Sequence, residues 1–96
     1  MRTVYLVTYD VCEAKRLRRT FRMMRRYGDH LQFSVFRCVL NEREKIRMVA
    51  HLKEILNSKE DQVLIADLGP EEGRGAEVIE TIGQPYVHPE RHAVVV

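Results

Sequence analysis

Apolar and polar positions change period several times along the chain, and each change marks an element. Residues 3–9 hold Val4, Leu6 and Val7 with Tyr5 and Tyr9, residue types that suit a strand. Alternation puts Val4 and Leu6 on one face and Tyr5, Val7 and Tyr9 on the other, so both faces are apolar or aromatic. Asp10 breaks the run. Ala14, Leu17, Phe21 and Met24 then recur at spacings of three, four and three. That period predicts a helix over 13–27 with this stripe facing inward. Gly28 follows as its stop.

A second strand-like run covers 31–40, long enough to bend into a hairpin. Leu31, Phe33 and Val35 share one face; Phe36, Cys38 and Leu40 share the other. Asn41 and Glu44 stand at the spacing of a capping box and open a helix over 42–56. Its inner stripe reads Ile46, Val49, Ala50, Lys53 and Leu56, with the Lys53 stem laid along the core. After a polar loop, 62–68 form a further strand, with Val63 and Ile65 opposite Leu64, Ala66 and Leu68. Residues 78–82 read as a short extra strand stopped by Gly83. The tail ends in an apolar run from Ala93 to Val96.

This order predicts an α+β chain of ferredoxin-like βαββαβ type, with an antiparallel sheet and a C-terminal extra strand or tail. Residues 1–83 are expected to form the domain and 84–96 the tail. Both helices of such a fold lie on one face of the sheet. The other face is apolar too and needs a cover, yet the chain offers no third helix. The expectation is a homodimer, with the bare sheet faces packed together or covered by tails; the run from Ala93 to Val96 fits an edge strand exchanged onto the partner. A 96-residue chain has a thin core, which adds to the case for oligomerisation.

The net charge of +2 hides an asymmetry. Residues 1–28 carry eight basic groups against Asp10 and Glu13 alone, a balance of +6, and the rest of the chain is −4. Six arginines crowd into 16–26: Arg16, Arg18, Arg19, Arg22, Arg25 and Arg26. A row of this kind follows a phosphate backbone and reads no bases. The alternative is a solvated helix face. No apolar run approaches the ~18 residues that span a bilayer, and no signal-peptide core precedes the first strand, so a cytoplasmic, membrane-free protein is expected. Two cysteines fit a reducing compartment, Cys12 as a loop residue and Cys38 as a small strand residue. His30, His51, His88 and His92 show no paired metal spacing.

Asp10 is the candidate for chemistry. It closes the first strand just ahead of the arginine-rich helix. An Asp there also suits an N-cap-like turn, and spacing does not separate the two roles. One carboxylate is a poor site for a hard cation. A two-fold dimer would bring two copies of Asp10 together, able to hold Mg²⁺ or Mn²⁺ and so to activate water against a phosphodiester. Tyr9 and Phe36 suit either base stacking or the core.

The run from Val4 to Asp10 ending in Tyr9-Asp10, the basic helix ending in Tyr27-Gly28, and Gln32-Phe33-Ser34-Val35-Phe36 together resemble the CRISPR-associated Cas2 family of small adaptation proteins. The resemblance covers about residues 3–68. It implies a ferredoxin-like homodimer with a divalent metal, Mg²⁺ or Mn²⁺, between two copies of Asp10. It implies endonuclease activity on RNA or DNA, found in some members and absent from others. It also implies a shared role in spacer acquisition, where the dimer bridges the Cas1 integrase and lies along double-stranded DNA. Tyr9, Asp10, Arg19 and Phe36 match positions that matter in nuclease-active members. One family position that is basic within the first helix is Leu17 here. The alternative within the same fold is a non-catalytic DNA-binding scaffold.

Overall fold

Strand alternation is the organising feature of the computed structural model, which describes residues 1–76 and 78–84. The elements run β1 (Thr3–Asp10), α1 (Ala14–Met24), β2 (Asp29–Gln32), β3 (Val35–Leu40), α2 (Glu42–Ile55) and β4 (Gln62–Pro70). The sheet order is β2-β3-β1-β4, and each neighbouring pair is antiparallel. This is the ferredoxin-like βαββαβ arrangement expected from the sequence.

Register explains the core. Tyr5 lies opposite Cys38 and Val7 opposite Phe36 on β3. Val7 also faces Ile65, and Tyr9 faces Val63, on β4. These side chains form one core with Met23 and Met24 of α1 and Met48 and Leu52 of α2. The helices therefore cover the face that carries Tyr5, Val7 and Tyr9.

Both helix stripes differ from expectation. In α1 the buried side chains are Thr20, Met23 and Met24, while Leu17 and Ala14 are exposed. Thr20 tolerates burial because its hydroxyl donates to the Arg16 carbonyl at 2.8 Å. In α2 the buried pair is Met48 and Leu52, while Ile46, Ala50 and Lys53 are exposed. Met side chains are long and adaptable, and they take the positions nearest the sheet. The capping box of Asn41 and Glu44 is present, and Glu44 also pairs with Arg2.

The run over 31–40 is two strands, with Phe33 and Ser34 as the two-residue turn between Gln32 and Val35. Phe33 is therefore a turn residue rather than a sheet residue. Gly28 lies where a Cβ would come within 2.5 Å of both the Arg37 carbonyl and Cys38 Sγ. The need there is close approach to β3. Both cysteines are free, and burial pushes the Cys38 thiol up to about 12.

On the second sheet face, Val4 is fully buried and meets the loop at Gly75. Leu6, Leu31 and Val35 line a groove of about 540 Å³ together with Ile79 and Ile82. Residues 78–82 are irregular, not a strand. They give this face a partial cover. Leu64 of β4 stays exposed. The expected exchange of the run from Ala93 to Val96 falls outside the described residues. Among the described residues no helix is long and apolar enough to cross a membrane.

Candidate nucleic-acid site at the end of the first strand

Asp10 is the last residue of β1, opposite Gln62. It is exposed, and no hydrogen bond or ion pair holds its carboxylate among the described residues. The N-cap role, open to Asp10 by sequence, belongs to Glu13. The Glu13 side chain accepts from the backbone N–H of Lys15 at 3.0 Å and of Arg16 at 2.9 Å. These two hydrogen bonds hold the Glu13 carboxyl below its ordinary range. The cap is thus supplied elsewhere, and the Asp10 carboxylate is left with its oxygens free.

The segment just after Asp10 is fixed by a residue that sequence reasoning missed. Asp61, in the loop before β4, has a fully buried side chain. It accepts from Arg16 Nε at 2.7 Å and Arg16 Nη2 at 3.2 Å. It also accepts from the backbone N–H of Cys12 at 3.0 Å and of Asn57 at 2.9 Å. Arg16 holds the Asp61 carboxyl well below the usual range, with the two backbone donors adding to the effect. Nothing local marks Asp61 as special, because its partner lies on another element.

Arg16 was expected to face phosphate. Its guanidinium is instead taken by Asp61 and, at 3.1 Å, by Glu60. The remaining arginines divide around α1. Arg18 and Arg22 border an apolar groove with Leu17, Phe21, Phe33 and Tyr9. Arg19, Arg22 and Arg26 border a second hollow against α2, near His51 and Glu54. Arg25 is half-buried and lies 5.8 Å over the Phe21 ring. Arg18, Arg19 and Arg22 on α1 and Arg26 in the turn after it are exposed and form a cationic surface.

Tyr9 and Phe36 both belong to the core. Phe36 is fully buried. Its ring lies 6.2 Å from that of Tyr9 at an interplanar angle of 25°, and 5.7 Å from Phe21. Phe36 therefore backs the Tyr9 ring and presents no surface of its own. Burial raises the Tyr9 phenol, with contact to Ser34 opposing it, so the hydroxyl is a neutral group at physiological pH. His30 also has a local role: its Nε2 donates to the Phe33 carbonyl at 2.7 Å and its ring meets the Phe21 edge at 4.9 Å.

Among the described residues no three His, Cys, Asp or Glu side chains converge as a metal-binding group. Asp10 offers one hard carboxylate per chain. Mg²⁺ typically takes one or two protein carboxylates and fills its shell with water and phosphate. The donor fits that ion when substrate phosphate or a second carboxylate completes the set.

Comparison with known proteins agrees with this fold. The chain is 43% identical over 96 residues to the CRISPR-associated endoribonuclease Cas2 of Geobacter sulfurreducens, covering all of both chains. It is 37% identical to a second such protein, from Rhodospirillum rubrum, covering 96% of this chain and 89% of that one. Among solved structures, Streptococcus pyogenes Cas2 at pH 6.5 superposes with a TM-score of 0.73 at 32% identity, covering 83% of this chain and 99% of that one. The profile of CRISPR associated protein Cas2 matches residues 1–74, and the chain belongs to that family.

Proposed function

We propose that this protein is a nucleic-acid-binding homodimer with metal-dependent endonuclease activity on RNA or DNA, working in CRISPR spacer acquisition beside the Cas1 integrase. The observation that carries the reading is Asp10: an exposed carboxylate, free of partners, at the end of a strand paired on both sides. The relatives from Geobacter sulfurreducens and Rhodospirillum rubrum are called endoribonucleases, which points the same way.

The two copies of Asp10 would hold Mg²⁺ or Mn²⁺. Bound there, the ion supplies a water of lowered pKa and polarises a phosphodiester. The chain's own residues position the substrate. Arg19, with Arg18, Arg22 and Arg26, binds phosphate oxygens by charge-assisted hydrogen bonds. Tyr9 places a neutral hydroxyl beside Ser34, and Phe36 fixes the Tyr9 ring from below. Arg16 and Asp61 hold the segment that follows Asp10. The apolar second face, with Leu6, Val35 and the exposed Leu64, favours pairing of two copies.

Asp10→Asn tests the reading. The expected result is loss of Mg²⁺-dependent cleavage with nucleic-acid binding retained. Cleavage that persists unchanged in a contaminant-free preparation would remove Asp10 from the chemistry.

A second reading has its own support. The exposed arginines run from Arg18, Arg19 and Arg22 on α1, about 6 Å of helix at 1.5 Å per residue, to Arg26 in the turn that follows it. Such a row suits a backbone-tracking scaffold that holds duplex DNA without cutting it. A wild-type protein that never cleaves, yet binds DNA with a steep salt dependence, is the result that selects it.

A further inference from the structure

Phe33 occupies a position that folding alone does not explain. It is the first residue of the two-residue turn between β2 and β3, with φ of 39°. Glycine is favoured at such a place, because a Cβ makes positive φ costly. A large side chain can compensate by burying its ring, but Phe33 is 88% exposed. The chain thus accepts backbone strain and exposes an aromatic ring, a combination that marks functional positions.

The turn is firmly held. The Tyr9 backbone N–H donates to the Ser34 carbonyl at 3.1 Å, and His30 Nε2 donates to the Phe33 carbonyl at 2.7 Å. The ring is therefore presented rather than loose. It borders a mainly apolar groove of about 500 Å³, with Leu17, Phe21 and Tyr9 as further lining. That volume lies within the range of small-ligand clefts, about 300–1,000 Å³. Arg18 and Arg22 border the same groove and are exposed.

An apolar, aromatic-walled slot rimmed by two arginines matches one chemistry closely: a flat heteroaromatic ring joined to phosphates. We propose that this groove receives a single unstacked nucleobase of a single strand. The base stacks on Phe33, and Arg18 and Arg22 hold the flanking phosphates. A duplex keeps its bases inside the helix and cannot enter. The inference rests on the nucleic-acid reading above and adds a strand preference to it. Leu17, apolar where the family resemblance implies a basic residue, becomes a wall of this slot.

The test uses the full-length protein with single-stranded RNA and DNA of one sequence, each carrying one 2-aminopurine, and with the matching duplex. The wild type is expected to change 2-aminopurine emission on single strands and not on the duplex. Phe33→Ala is expected to bind single strands about 5- to 100-fold more weakly, the size of one lost stacking contact, with duplex affinity unchanged. Phe33→Trp should restore both affinity and emission change. Equal responses with RNA and DNA assign recognition to the base alone; a response confined to RNA adds the 2′-hydroxyl.

Equal binding by Phe33→Ala, or equal weakening for single strand and duplex, overturns the slot while leaving nucleic-acid binding intact. Failure of the wild type to bind either form overturns both readings. A Phe33→Ala protein that sediments at half the wild-type mass also overturns it, because the ring then belongs to a contact between copies. Phe33→Gly, which suits the positive φ, replaces the alanine variant should that one melt early.

Discussion

Arg16 and Asp61 meet across 45 residues of chain through two hydrogen bonds, Nε at 2.7 Å and Nη2 at 3.2 Å, around a carboxylate with no exposed surface. Asp61 also takes the Cys12 backbone N–H. The pair therefore joins the start of α1, the loop before β4 and the residue two past Asp10. It gives the fold an acid-sensitive clasp. The folded Asp61 carboxyl sits below its ordinary value. Its contribution is complete above about pH 4, the unfolded carboxyl value, and is lost as pH falls below that. In thermal melts between pH 2 and pH 7, Asp61→Asn should lower the melting temperature at pH 7 and flatten the acid limb. An acid limb identical to wild type would remove Asp61 from that role.

The arginines of α1 should separate by salt dependence. Arg22 is exposed and borders both hollows. Arg22→Gln should reduce the slope of log K against log salt by about 0.7 on a single strand and about 0.9 on duplex DNA, one phosphate contact. Arg16→Gln should leave that slope unchanged and lower the melting temperature instead. Binding titrations at four salt concentrations check both. The opposite pattern would mean that Arg16 lets go of Asp61 to reach the ligand.

Phe36→Ala should act on stability before it acts on function. The ring is fully buried between Tyr9 and Phe21, and removing a buried Phe typically costs about 3–5 kcal/mol. Urea unfolding should show a loss of that order, with Phe36→Leu intermediate. A stable alanine variant that has lost only activity would instead place the ring against the substrate.

Gly28→Ala should destabilise although glycine-to-alanine changes often help. The added methyl would meet the Arg37 carbonyl and Cys38 Sγ at 2.5 Å, an overpacking expected to cost about 1–3 kcal/mol. Equilibrium denaturation measures it. An unchanged midpoint would show that β3 can retreat from this contact.

How far the fold was legible depended on which rule each residue obeyed. Alternation in β1 and β3 was readable because Tyr5, Val7, Phe36 and Cys38 keep a strict period of two and end on the buried face. The capping box at Asn41 was readable because it is local. The helix stripes were legible only in part: Met24 is buried and Phe21 and Leu56 pack against the core, but Leu17, Ile46 and Ala50 do not. Thr20 hides its polar atom on its own backbone, so it is buried where counting apolar residues selects Leu17. Ile46 and Met48 both lie on 3.6-residue periods in α2, and only the sheet decides between them. At the site, Asp10 stood out as the break in an apolar run. Asp61 did not, since its meaning comes entirely from a distant arginine. Phe33 looked like an ordinary strand residue until the turn placed it outside the sheet.

The pairing of β1 with β4 has a consequence for synthesis. The first strand made joins the last of the described strands, Thr3 with Pro70 and Asp10 with Gln62. Until β4 has left the ribosome, β1 has β3 as its one partner among the described strands, and an edge of unpaired backbone N–H and C=O groups stays open. Sequence-distant pairing of this kind delays closure and leaves nascent chains prone to association. Nascent chains that stop short of Gln62 should accordingly remain protease-sensitive on the ribosome, and those extending beyond Pro70 and clear of the exit tunnel should become resistant in a single step.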